Sequence, residues 1–219
     1  MTDPVQLHGW RFSVYTRIAR LALLSKQVEH GTVEVDPFGA LPEAYLDLHP
    51  FGRVPVLTHG AFRLFETGAI TRYVDRAFEG PPLQPGGPAA LARMDQVISV
   101  IDCYAYRPMV RQVSSHAFFR PLFGEESSRE EIDAGLEASR KVLSFLDGVA
   151  GEGLVLGGRE ITLADCHLAA MMDYFVRAEE GKAALSPHLT LQRWWDRVSA
   201  LDVVKATDPF AVQAGSEAS

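Results

Sequence analysis

Four short segments carry side chains whose types and spacing can do chemistry. Glu66-Thr67 sets an acid beside a hydroxyl just ahead of a helical pattern, with Thr67 expected at the N-cap. Main-chain N–H groups at a helix N-terminus, with the helix dipole, make a carboxylate site, and an adjacent acid holds an ammonium. Such a pair suits an amino-acid head group; it also reads as a plain cap beside a solvated acid. Leu48 to Leu57 reads as a strand entered through Pro55. About 5–6% of X-Pro bonds in folded proteins are cis. In that form the Val54 N–H and C=O turn outward at a strand edge, where an extended peptide can pair with them. Ser13 starts the first helical pattern. Its hydroxyl reads as a cap, or as a donor to an anion such as a thiolate supplied by a cosubstrate. A free thiol is only about 3% ionised at pH 7, and lowering its pKa toward 6 raises that roughly 30-fold, or about 2 kcal/mol. No Gly-x-Ser-x-Gly elbow appears, and no Asp-His partner for a hydrolytic serine is evident. Thr162-Leu163-Ala164-Asp165 is a capping box with Asp in place of Glu, flanked by Ile161 and Cys166 at staple positions. That segment reads as structural, with Cys166 a core residue.

The elements that position these residues are legible in the pattern. Residues 5–10 read as a strand. Val14, Ile18, Leu21, Ala22 and Leu24 make the apolar side of a helix from Ser13 to about Gln27. Val33–Val35 reads as a strand, residues 42–48 as a short helix, and Val54–Leu57 and Phe62–Phe65 as a hairpin around His59-Gly60. A helix from about Thr67 to Phe78 completes an α/β unit over residues 1–79. Residues 80–88 are a Pro/Gly linker. Residues 89–219 show helical spacing at 89–115, 129–149, 163–178 and 189–201, with Pro108 expected to kink or end the first. Leu154 to Gly158 reads as an extended approach, and the tail after Phe210 as loose. The fold class is an α/β domain joined to an all-α helical domain.

Composition limits the partners. The 219 residues are 47% hydrophobic with a net charge of −7 and no basic block, which argues against nucleic acid and anionic membrane surfaces. No run of 18 apolar residues occurs, and Met1 to Leu7 has no signal-like core, so a cytoplasmic protein is expected. Cys103 and Cys166 form neither a disulfide framework nor a metal-type spacing.

The four segments, in this order, resemble the cytosolic glutathione S-transferase family, across about residues 5–205. Pro50-Phe51-Gly52-Arg53-Val54-Pro55 resembles its cis-proline segment. Phe65-Glu66-Thr67-Gly68-Ala69-Ile70 resembles its Glu-Ser motif with Thr for Ser. Thr162 to Asp165 matches its capping box, and Gln192-Arg193-Trp194-Trp195 resembles its late helix. The resemblance implies a thioredoxin-like N-terminal domain, an all-α C-terminal domain, and glutathione as cosubstrate with no metal. It implies that Val54, beside Pro55, pairs with the cysteinyl backbone and that Glu66 and Thr67 hold the γ-glutamyl group. Ser13 matches the catalytic serine of phi- and theta-like members, and the chain reads as a bacterial one of that type. Phe51 matches an aromatic key inserted into a partner subunit, so a homodimer is expected.

Departures narrow these expectations. Thr67 adds a methyl. Arg53 stands where phi-like members often have Gln. The loop Gly39-Ala40-Leu41-Pro42 lacks the basic residues that hold the glycyl carboxylate, leaving Arg53 or His49 for that end. No cysteine stands at position 13, unlike omega- and beta-like members, and Tyr15 is the rival donor to the thiolate. For a small hydrophobic electrophile, the expected wall is Phe12, Tyr15, Tyr104, Tyr106 and Phe119, with Trp10, Arg107, Arg111 and His116 as further candidates. The expected activity is conjugation of glutathione to that electrophile, with organic peroxide reduction a further outcome. Thiol–disulfide exchange through glutathione, or a non-catalytic ligand-binding dimer, is the alternative.

Overall fold

The computed structural model describes residues 3–157 and 160–211. Strand β1 (Val5–Gly9) alternates buried and half-buried positions, as a strand with one covered face must. It pairs parallel with β2 (Gly31–Glu34) and antiparallel with β3 (Val56–His59), which pairs antiparallel with β4 (Phe62–Phe65). The sheet order is β2-β1-β3-β4. β3 begins two residues later than the pattern suggests, because Pro55 has no N–H for the ladder. Helix α1 (Val14–Ser25) fully buries Ile18, Ala19, Leu21, Ala22 and Leu23. It crosses β1 closely at Gly9, where a Cβ would lie 2.4 Å from Thr16 Oγ1. Short α2 (Glu43–Leu46) and then α3 (Thr67–Ala77) complete this unit.

From Pro88 onward the described residues form helices and no strand. Helix α4 (Pro88–Val100) runs into a wide i→i+5 helix (Ile101–Phe119) and three-residue α5 (Arg120–Leu122). Pro108 neither ends nor breaks this run, which extends past the expected residue 115. The looser coil accommodates its missing N–H, and α6 (Arg129–Glu152) packs hard against it. Gly135 permits that approach, since a Cβ there would sit 2.8 Å from the Pro108 carbonyl oxygen. Helix α7 (Leu163–Arg177) is the central post, buried at every position from Leu163 to Met172. Helices α8 (Glu179–Leu185), α9 (Leu189–Ser199) and α10 (Asp202–Ala206) close around it. Leu154 to Gly157 form bends rather than an extended approach; Gly158 and the tail from residue 212 lie outside the described residues.

Polar contacts join the two units. Arg17, only 1% exposed, pairs with Asp173 and donates to Val204 O at 3.2 Å and Thr207 Oγ1 at 3.4 Å, tying α1 to α7 and α10. Thr71 on α3 meets His167 Nε2 on α7 at 3.3 Å. Burial pushes His167 down to about 3, so the contact is made by a neutral ring. The α7 capping box forms as its sequence predicts. Asp165 N donates to Thr162 Oγ1 at 3.4 Å, and Thr162 N donates to Asp165 Oδ2 at 2.8 Å. The other carboxylate oxygen accepts from Trp194 Nε1 at 2.7 Å. Cys166 is fully buried and its thiol is pushed up by burial, as suits a core residue.

Candidate active site

A cleft of about 970 Å³ opens where the sheet unit meets the wide helix. Its sheet side is built from short polar groups and main chain. Ser13 is the N-cap of α1, with extended dihedrals (φ −75°, ψ 123°), and its Oγ accepts from Thr16 N at 3.3 Å. That hydroxyl lines the cleft and makes no donated hydrogen bond among the described residues, so its O–H is available there. Val54-Pro55 is cis. Among the described residues the Val54 N–H and C=O have no backbone partner. Tyr45 Oη donates to Arg53 O at 2.7 Å and pins the segment; burial pushes the Tyr45 phenol up to about 12.

At the end of β4 the backbone takes an unusual turn. Glu66, not Thr67, is the N-cap of α3, with φ 68° and ψ 113°; Thr67 is the first helical residue and is buried. The correction has a local cause, because β4 runs to Phe65 and leaves one residue for the reversal. A non-glycine residue with positive φ costs roughly 1–3 kcal/mol and is found where surrounding structure enforces it. The result aims Glu66 and Thr67 into the cleft together. Buried His49 also lines this side, stacked on Phe65 at 4.6 Å, with Nδ1 lacking a partner among the described residues. Burial lowers its pKa; Glu66 opposes that shift and Arg53 reinforces it.

The opposite side comes from the wide helix. A coil with i→i+5 bonds takes about 4.4 residues per turn. Asp102, Tyr106, Val110-Arg111, Ser114-Ser115 and Phe119 recur at that interval, and all line the cleft. Ile101, Ala105, Met109 and Val113 form the buried stripe behind them. Asp102 is pushed up to about 6, chiefly by burial and then by the negative charge of Glu66. The Tyr15 ring lies 4.9 Å from that of Tyr106. Burial, then Asp102, drives the Tyr15 phenol far up, so it stays protonated and acts only as an O–H group. Above these sits an aromatic wall. Trp10 meets Phe12 at 5.3 Å, Phe38 at 5.2 Å and Phe119 at 5.9 Å, while Phe12 meets Phe210 at 5.2 Å. Tyr174 Oη anchors the loop by donating to Phe12 O at 3.0 Å.

Of the residues singled out in the sequence, Ser13, Arg53, Val54, Pro55, Glu66, Thr67, Phe12, Tyr15, Tyr106 and Phe119 meet in this cleft, with Trp10 and Arg111. Tyr104 does not. It stands about half a turn from Asp102 and Tyr106 on the wide helix and is 65% exposed on the far face. Arg107 is likewise outside the lining. His116 is structural: its Nδ1 accepts from Ser128 N at 3.0 Å ahead of α6. Asp102, Ser114, Ser115, Arg120 and Phe38 were missed by the sequence reading; a 4.4-residue count from Tyr106 would have found the first three. Among the described residues no cluster of His, Cys, Asp or Glu is arranged to hold a metal.

Residues 7–82 match the family described as Glutathione S-transferase, N-terminal domain, and residues 110–202 match Glutathione S-transferase, C-terminal domain. The chain belongs to the glutathione S-transferase family. Its sheet unit is the thioredoxin-like N-terminal domain of that fold and its helices the C-terminal one. It is 29% identical to Glutathione S-transferase 4 of Zea mays over 203 residues, covering 91% of this chain and 89% of that protein. It is also 29% identical to Glutathione S-transferase F10 of Arabidopsis thaliana, covering 83% and 86%. The solved structure of glutathione S-transferase III in its apo form superposes with a TM-score of 0.82 at 27% identity, covering 93% of this chain and 95% of that one.

Proposed function

We propose that this protein is a glutathione transferase that activates the glutathione thiol and conjugates it to a small apolar electrophile, in a detoxifying role. The observation that carries the reading is Ser13: a hydroxyl that accepts from Thr16 N and lines, with its O–H uncommitted among the described residues, a cleft that also holds a bare main-chain edge. Glutathione lies extended along Val54. Its γ-glutamyl carboxylate meets the α3 N-terminus and Thr67, and its ammonium meets Glu66 with Asp102 opposite. Arg53 is the cation on this edge and takes the glycyl carboxylate. Ser13 donates to the cysteinyl sulfur and stabilises the thiolate. With an aryl halide, the C–S bond forms, the carbon–halogen bond breaks, halide leaves, and the thiol proton passes to solvent. The rest of the rate comes from holding the two reactants together.

Residues 1–79 are assigned to glutathione, 80–88 to the linker, and 89–219 to the electrophile. Neither cysteine lines the cleft, which favours conjugation over exchange by a protein thiol. Both cysteines are free, which fits a reducing cytoplasm. Among the described residues no helix is long and apolar enough to cross a membrane. Phe51, 70% exposed beside the glutathione edge, supports a homodimer. The test is a calorimetric glutathione titration with an assay on 1-chloro-2,4-dinitrobenzene. Binding with thioether formation is expected; absence of both overturns the reading.

A further inference from the structure

Two arginines face the electrophile half of the cleft, and their situations differ. Arg111 and Arg120 lie nine residues apart, two turns of about 4.4 residues, so they share the face that carries Ser115 between them. Arg120 is engaged. Its Nε donates to Glu126 O at 2.5 Å and its Nη2 lies 3.7 Å from the Glu125 carboxylate. Arg111 lines the cleft and takes part in none of the ion pairs among the described residues. The chain has 28 acidic residues against 21 basic ones. An uncompensated cation beside the aromatic wall of Trp10, Phe12 and Phe119 therefore opposes the net field of the molecule.

We propose that the electrophile is an apolar, aromatic-sized molecule carrying an anionic group, a carboxylate being the model, and that Arg111 receives that group while the rings of Trp10, Phe12 and Phe119 cover the body. This rests on the glutathione reading above. Arginine matches a carboxylate with two parallel donors; Arg111 is exposed, so the pair gains from that fork and stays open to screening by salt. Glu125 does not cancel the site, because it faces Arg120. Ser114 and Ser115 add hydroxyls on the same face. The anionic group keeps its charge throughout. With an unsaturated ketone, sulfur bonds to the β-carbon, the thiol proton ends on the α-carbon, and no redox partner is needed.

The test uses the full-length protein and two stable thioethers, S-benzylglutathione and S-(4-carboxybenzyl)glutathione, titrated by calorimetry. The wild type is expected to prefer the carboxylated compound. Arg111→Gln should cut that preference about tenfold, and Arg111→Lys should restore part of it, with the preference shrinking as salt rises. The same ratio in wild type and Arg111→Gln overturns the assignment. If the wild type binds both thioethers equally, the glutathione reading stands and this inference alone falls. If neither binds, the glutathione reading falls and takes this one with it.

Discussion

Two helix N-termini in this molecule start from the same device and end in opposite roles. At α7, Thr162 caps the helix and Asp165 closes the box, with Trp194 taking the remaining carboxylate oxygen. At α1, Ser13 caps the helix, but no acid stands in the first turn and Thr16 occupies the third position. The first terminus is saturated and buried. The second keeps one O–H and a positive helix end facing a cleft. A hydroxyl cap becomes a chemical tool when its hydrogen-bonding capacity is left half used, and a structural one when neighbours use all of it.

Asp165→Ala gives the largest way to break this contrast. It leaves the Trp194 indole N–H and the Thr162 N–H unsatisfied in the core, at an expected cost of about 3 kcal/mol. In thermal unfolding that is a fall of about 10 °C for a chain this size. Next is Ser13→Ala. The midpoint of the pH–rate profile for conjugation should climb toward the free-thiol value near 8.5, with roughly 30-fold less activity at neutral pH, about 2 kcal/mol. Tyr15→Phe should leave that midpoint in place, since the Tyr15 hydroxyl is engaged with Asp102 and its ring with Tyr106. A midpoint that moves with Tyr15 and not Ser13 would reverse the assignment. Thr162→Ala is the counterpart of the serine change. It should lower stability by about 1 kcal/mol in urea unfolding without moving the pH midpoint.

The smallest effect contrasts two carboxyls. Burial raises both, but Asp165 has protein donors on both oxygens opposing that shift, whereas at Asp102 desolvation and then the charge of Glu66 across the cleft raise the carboxyl from 3.8 to about 6. A raised carboxyl pKa means the native fold holds the proton more tightly than the unfolded chain. The resulting stability is full below about pH 4 and is lost as pH rises through 6. Asp102→Asn should therefore show a smaller fall in urea midpoint between pH 4 and 7 than the wild type.

The sequence was most informative where local chemistry decides the outcome. The α7 box, the β3–β4 hairpin at Gly60 and the α1 cap at Ser13 depend on neighbours within four residues, and each formed. The Glu66 reversal was illegible, because positive φ at a glutamate comes from β4 and α3 meeting with no spare residue. The wide helix was misread for a different reason. A 3.6-residue count does not separate Tyr104 and Arg107 from Tyr106 and Arg111 and hides Ser114 and Ser115, and only packing against α6 reveals the looser period. Tyr104 and Arg107 fall outside the lining on that count, and His116 because its ring is committed to Ser128 N.

The burial of Arg17 has a consequence for how the chain is made. Its guanidinium is satisfied by Asp173, Val204 and Thr207, between 156 and 190 residues downstream. A ribosome releases the strands and α1 long before any of those partners exist. Until the last helix emerges, the nascent first half carries a cation destined for the interior with nothing to pair it, so that half cannot settle into its final packing on its own. The serine helix is thus completed by residues synthesised 156 to 190 positions after its Arg17.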